Sequence, residues 1–256
     1  MNVDSPKLTA LDLSTSPRRA VLEGAGLLVL LGPGAIAASY MLARHAQATQ
    51  PGSAAALTAL ILIVGAAFMA KWLIAERLHP HARLGLGNVL TFTRASGIAV
   101  MAGLLLTPVS GLGWVLVGLA GVVLALDGAD GWAARRAGLQ SAFGARLDME
   151  SDVAFSLTLA ALAVAMGQVG LWFMALGLLR PAFVLGGRIW PALAAPLPDA
   201  RWRKIMAGVQ MAGQVLLIAP LLAPPYSTAL GAAILLATMA SFSVDLVWLT
   251  RRATRS

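Results

Sequence analysis

Eight long apolar runs dominate the chain, at 20–42, 54–75, 89–107, 112–133, 149–168, 170–191, 205–223 and 228–249. Each reaches the length, about 18 residues or more, that a helix needs to cross the hydrocarbon core of a bilayer. Strict alternation of apolar and polar positions is absent, which argues against a transmembrane barrel. The pattern predicts an all-α, polytopic helical membrane protein with about eight transmembrane helices, each satisfying its own backbone groups. Residues 71–88, "KWLIAERLHPHARLGLGN", mix charge with apolar positions and predict an interfacial helix followed by a turn. Pro181 interrupts the sixth run and predicts a kink. Residues 1–19 form a polar, loose tail, 191–202 a loop, and 251–256 a basic tail. The run from 20 is too long for a signal-peptide core and counts as a membrane helix.

Composition and charge refine this picture. Hydrophobic residues make up 59% of the 256 positions, charged residues only 12%, and the net charge is +8. With both termini cytoplasmic, the outer connections fall near 43–53, 107–111, 167–170 and 220–228. Of 19 Lys and Arg, only Arg44 lies in them. That asymmetry predicts an even number of spans in the cytoplasmic (inner) membrane, with cytoplasmic termini. The basic excess points to an anionic membrane face. No basic stripe with interleaved aromatics appears, so no nucleic-acid partner is expected. With no cysteine in the chain, disulfides, zinc–thiolate sites and thiol nucleophiles are excluded.

Against this background, residues 126–152, "LDGADGWAARRAGLQSAFGARLDMESD", concentrate acid. Asp127, Asp130, Gly131, Ala134 and Arg135 share one helical face, as do Gly144, Asp148 and Asp152. A short polar link at 136–143 lets the two helices lie side by side, with four carboxylates meeting at the inner membrane boundary. Such a cluster repels itself in a medium of low dielectric. It is relieved either by raised pKa values or by bound cations. Oxygen-only donors favour hard ions such as Mg²⁺ or Mn²⁺, and four Asp suffice for two of them. A paired site suits phosphoryl chemistry. Gly131 and Gly144 remove side chains beside the acids, which leaves room for a bulky ligand.

Asp127, Asp130, Gly131, Ala134, Arg135, then Gly144, Asp148 and Asp152, in the arrangement D-x2-D-G-x2-A-R, eight residues, G-x3-D-x3-D, resemble the signature of the CDP-alcohol phosphatidyltransferase family. "NVLTFTR", with Asn88, Thr91 and Arg94, resembles the motif on that family's first core helix. The resemblance implies a six-helix core at 88–250, preceded by a two-helix extension at 20–87. It implies transfer of a phosphatidyl group from CDP-diacylglycerol to the hydroxyl of a small alcohol, with release of CMP, in phospholipid biosynthesis. Asp127, Asp130, Asp148 and Asp152 would hold two Mg²⁺ or Mn²⁺, and Asp152 would also act as general base. Thr91, Gly131, Ala134, Arg135 and Gly144 would bind the nucleotide. A cytoplasm-facing active site and a homodimer are further implications.

The acceptor leaves a fainter trace. Arg180 and Arg188 are eight apart on the sixth run, near one face, and Arg201, Arg203 and Lys204 crowd the same end. Arg180, Arg188 and Lys204 are candidates for binding a phosphorylated acceptor, since guanidinium forks pair with phosphate. The pattern is nearest to the phosphatidylglycerophosphate synthase-like members, which implies glycerol-3-phosphate. It departs from them at Pro181 and over "RKIMAGVQ". Inositol phosphate, serine, choline and phosphatidylglycerol are the alternative acceptors. Asp245 is expected to pair with Arg251 or Arg252, and His45, His79 and His81 to be loop residues. Two other classes stand beside the transferase. One is a cation transporter, which would gather its acids near midplane from broken helices. The other is a silent lipid-binding scaffold, against which four intact aspartates argue.

Overall fold

In a computed structural model, the protein is described over residues 16–75, 78, 79, 81, 83–190, 193, 195 and 201–253. Eight α-helices follow the apolar runs in order: α1 (Ser16–His45), α2 (Pro51–Ala70), α3 (Gly85–Gly103), α4 (Gly113–Ala137), α5 (Ala142–Ala165), α6 (Met174–Ile189), α7 (Arg201–Ile218) and α8 (Tyr226–Ala253). No strand occurs among the described residues. The protein is an all-α polytopic membrane protein. Six of its helices are long and apolar enough to cross a bilayer. The other two depart from the expected eight for a physical reason. The first half of α5 carries Arg146, Asp148, Glu150 and Asp152, and α7 is apolar only over Ile205–Ile218.

Two sequence expectations are corrected here. Instead of an interfacial helix in 71–88, a single π-helical turn, Lys71–Ala75, extends α2, and residues 78, 79 and 81 are not helical. The tail expected at 1–19 gives way to helix from Ser16; residues 1–15 lie outside the described part. α6 runs through Pro181.

α3 is the hub. It packs against α1, α2, α4 and α5, and it stands between α4 and α5, which scarcely touch each other. α5 in turn packs on α6 and α7, and α7 on α8. Small residues permit the close crossings, as is usual where lipid offers helices no hydrophobic driving force. A Cβ on Gly87 of α3 would lie 2.9 Å from both the Ala134 Cβ and the Asp130 carbonyl oxygen of α4. Polar clamps tie α1 and α2 to the hub at its two ends. The buried Thr58 hydroxyl bonds with that of Ser39 (2.9 Å) and donates to the Ala99 carbonyl (3.3 Å). At the opposite end, the Leu84 N–H donates to Glu23 of α1 at 2.7 Å, so an acid from α1 satisfies a free donor at the start of α3.

The Gly87 contact yields a prediction. Neither Ala134 nor the Asp130 backbone can swing away, so Gly87→Val should force α3 and α4 apart and cost about 1–3 kcal/mol. Thermal denaturation in detergent checks this. Gly121→Ala on the exposed side of α4, where a Cβ meets nothing within 4 Å, should leave the midpoint unchanged.

Candidate active site

The link between the two acid-bearing helices is built from local rules. α4 ends where Gly138 adopts φ +64°, a left-handed conformation natural to glycine. The Leu139 N–H bonds to the Ala134 carbonyl (3.2 Å) and the Gly138 N–H to that of Arg135 (3.3 Å), the Schellman pattern. Ser141 then caps α5, its hydroxyl accepting from the Gly144 N–H at 3.1 Å. A buried imidazole holds that hydroxyl. His79 Nε2 lies 2.9 Å from the Arg83 carbonyl, which can only accept, so the proton sits on Nε2. Its Nδ1 therefore accepts from Ser141 at 3.0 Å. Burial lowers the His79 pKa below its ordinary 6.5, which keeps the ring neutral. His79 is thus more than the loop residue its sequence position suggests. Its signal was the spacing to Ser141, a tertiary contact that no helix periodicity reports.

The aspartate faces do not oppose each other directly, as the short link had suggested. α3 inserts Thr91 and Arg94 between them. Arg94 is 1% exposed and lies among all four carboxylates. Its Nη1 is 2.7 Å from Asp127, 3.1 Å from Asp130 and 2.7 Å from Asp148, while Nη2 pairs with Asp152. The Thr91 hydroxyl lies 2.9 Å from Asp130 Oδ2 and 3.1 Å from the Gly87 carbonyl. The reason is electrostatic: two acid faces in direct contact would meet with no counter-charge. The role of Arg94 had a sequence signal, an arginine within an apolar run, where a lone cation is expensive.

Beside the acids, a cavity of about 260 Å³ opens between α3, α4 and the start of α5. Thr91, Gly131, Ala134, Arg135 and Gly144 all line it, together with Asp130 and Asp148. The two glycines make room in an unexpected way. The Arg135 guanidinium folds back over Gly131, Nη1 lying 3.1 Å from where a Cβ would be. At Gly144 the space is taken by the Asn88 carboxamide, whose oxygen would be 2.8 Å from a Cβ. Asn88 is anchored by its bond to the Leu84 carbonyl.

The donor set fits a divalent cation. One carboxylate oxygen each from Asp127, Asp148 and Asp152 lie within 4.8 Å of one another. Four carboxylates outweigh one guanidinium by three charges, and all the donors are oxygen. The family model of the CDP-alcohol phosphatidyltransferases matches residues 84–244, well over half of the chain and all of this site. The chain belongs to the CDP-alcohol phosphatidyltransferase family. No curated protein and no solved structure gives a match. Membership makes the protein a transferase that moves a phosphatidyl group from a CDP-alcohol in phospholipid biosynthesis. The family is generally dependent on a divalent metal, and the Asp127, Asp148 and Asp152 triad is where this CDP-alcohol phosphatidyltransferase can hold one.

A second polar region lies deeper. Ser156 continues the i+4 ladder of Gly144, Asp148 and Asp152 along α5. It accepts from Gln210 Nε2 (3.0 Å) and bonds to Gln214 Oε1 (3.1 Å), both on α7. Gln210 also lines a cavity of about 370 Å³ between α6, α7 and α8, with Arg180, Arg203, Thr238 and Asp245. Arg180 thus faces a polar cavity, but Arg188 does not share it. Arg188 lines a separate groove beside α2. Eight residues leave about 80° between two side chains round a helix, enough to separate them. The Lys204 and Arg201 side chains lie outside the described residues. Asp245 pairs at 3.6 Å with Arg203 of α7, a partner the sequence reading did not name. Partners six or seven residues along one helix stand about 9–10 Å apart, whereas α7 is adjacent.

Two outcomes follow from this geometry. Arg94→Met leaves the buried Asp130 and three partly exposed carboxylates without their guanidinium and should cost about 3 kcal/mol in chelator. Added Mg²⁺ should recover part of the lost melting temperature. For His79, the neutral native form binds fewer protons than the unfolded chain, so its contribution is full above pH 6.5 and declines as pH falls below it. The melting temperature should drop between about pH 7.5 and 5.5, and drop less in His79→Gln.

Proposed function

We propose that this CDP-alcohol phosphatidyltransferase uses CDP-diacylglycerol and transfers its phosphatidyl group to a small phosphorylated alcohol, best glycerol-3-phosphate. The observation that carries this reading is the convergence of six of the eight signature residues on one cavity, beside which one carboxylate oxygen each from Asp127, Asp148 and Asp152 lie within 4.8 Å of one another. Asp127, Asp130, Asp148 and Asp152 would hold two divalent cations, Mg²⁺ or Mn²⁺. When bound, they neutralise the charge that develops on the diphosphate oxygens.

Thr91, Gly131, Ala134, Arg135 and Gly144 would seat the cytidine nucleotide in the first cavity. The acceptor hydroxyl oxygen bonds to the phosphorus that carries the lipid. The bond from that phosphorus to the CMP oxygen breaks, and CMP leaves with the electron pair. Asp152, whose carboxylate is partly exposed, takes the hydroxyl proton. Ser156 lies one turn beyond Asp152 and bonds to Gln210 at the edge of the second cavity, so a polar track joins the base to that cavity. Arg180 and Arg203 supply it with two guanidinium groups suited to phosphate. Of the other two acceptor candidates, Arg188 lines the separate groove beside α2 and the Lys204 side chain lies outside the described residues. The lysine and arginine distribution supports a cytoplasmic setting for the aspartate end, in the inner membrane.

CMP release from CDP-diacylglycerol in detergent tests the proposal across glycerol-3-phosphate, inositol phosphate, inositol, serine, choline and phosphatidylglycerol. Glycerol-3-phosphate should support release, and Asp152→Asn should slow it by about 10²- to 10⁴-fold. Arg180→Gln should raise the acceptor KM and leave the donor KM unchanged. Release with an unphosphorylated acceptor alone would reject the acceptor assignment. Absence of any metal-dependent CDP-lipid binding would reject the site.

A further inference from the structure

α2 and α5 both lean on α3 and leave a groove of about 480 Å³ between them. It shares no lining residue with the nucleotide cavity. On α5 it uses Arg146, Leu147, Glu150, Ser151 and Ala154, a face turned away from that of Gly144, Asp148 and Asp152. Among its described lining residues the charges are all at the aspartate end: Lys71, Arg146 and Arg188, with Glu150 the one acid. Beyond them the lining is apolar except for Ser96, reaching Ile61 on α2 and Ile98 on α3. Ten residues separate Lys71 from Ile61, about 15 Å of helix, half the roughly 30 Å hydrocarbon thickness of a bilayer. The groove is therefore one leaflet deep, with its charge at the level of the lipid phosphates. The α2 backbone is open to it at Gly65, where a Cβ would meet nothing within 4 Å. Trp72 forms part of its wall, the Arg146 guanidinium lying 5.0 Å from the ring centroid.

We propose that this groove holds one anionic phospholipid of the surrounding bilayer, its phosphate among Lys71, Arg146 and Arg188 and one acyl chain between α2 and α5. Charge selects the occupant. A neutral lipid fills the apolar length equally well, but three cations against one acid favour a headgroup with net negative charge. α2 lies outside the residues matched to the family, so the site belongs to the combination of extension and core. The bound lipid is neither donor nor product. It fills the gap between the helices.

Trp72 supplies the readout. The full chain would carry Trp72 as its sole tryptophan, the other six replaced by Phe. It would be placed in phosphatidylcholine vesicles containing a small fraction of acyl-brominated phosphatidylglycerol or acyl-brominated phosphatidylcholine. Brominated phosphatidylglycerol should quench Trp72 at a mole fraction roughly fivefold or more below that needed for the neutral lipid. Arg188→Gln should narrow the gap. Gly65→Phe should abolish quenching by both lipids, while Gly65→Ala keeps it; helical circular dichroism and monodisperse elution show that each variant folds. Equal quenching by the two lipids overturns the proposal, as does quenching that survives Gly65→Phe. Loss of the quench on adding CDP-diacylglycerol also overturns it, by making the groove part of the donor site. No step needs turnover, so a failure here leaves the transferase reading untouched, and the reverse holds as well.

Discussion

One guanidinium holds the centre of this protein together. Arg94 meets carboxylates from α4 and α5 while belonging to neither helix. Arg94 and Asp130 are removed from water, which is costly, and the three partly exposed carboxylates around them help to answer the buried guanidinium. The demand fixes the order of the helices. α3 must lie between the two acid faces, with Gly87 small enough to let α4 come close and Asn88 reaching into the notch at Gly144. The same demand leaves the cluster short of positive charge, which is the state in which a binding site for divalent cations is useful.

The surrounding structure keeps this arrangement in register. A left-handed glycine stops α4, and a serine starts α5 three residues later. The serine is held by a neutral imidazole from the segment after α2. Asp148 and Asp152 therefore take their height from hydrogen bonds made outside the site. Further along α5 the polar face continues into the Ser156, Gln210 and Gln214 network, which gives α7 a fixed position against α5. Polar pairs in lipid act as alignment pins more than as sources of stability, since alternative partners are scarce but each bond is modest.

Much of this was legible in the residues alone. Helices could be counted because lipid enforces long apolar runs, and the aspartates could be placed on common faces because their spacing follows the helical period. Periodicity describes one helix at a time, however. It could not reveal that α3 separates α4 from α5, so Arg94 was visible only as part of a motif and not as the partner of every acid. It placed Arg180 and Arg188 near one face, where an angular difference of about 80° and two different neighbours send them into separate cavities. It gave His79 nothing to do, because the reason for that histidine is Ser141, sixty-two positions away.

The family match begins at residue 84, and a hydrogen bond crosses that border. The N–H of Leu84 points out of the matched region to Glu23, while Thr58 enters it to reach the carbonyl of Ala99. Leu84 also lines the cavity beside the aspartates and receives the bond from Asn88. The first two helices are therefore not an appendage fastened to a finished enzyme. A boundary drawn by sequence similarity and one drawn by mechanical integrity fall in different places here. The hydrogen bonds that fix the matched region in place extend into the two helices before it.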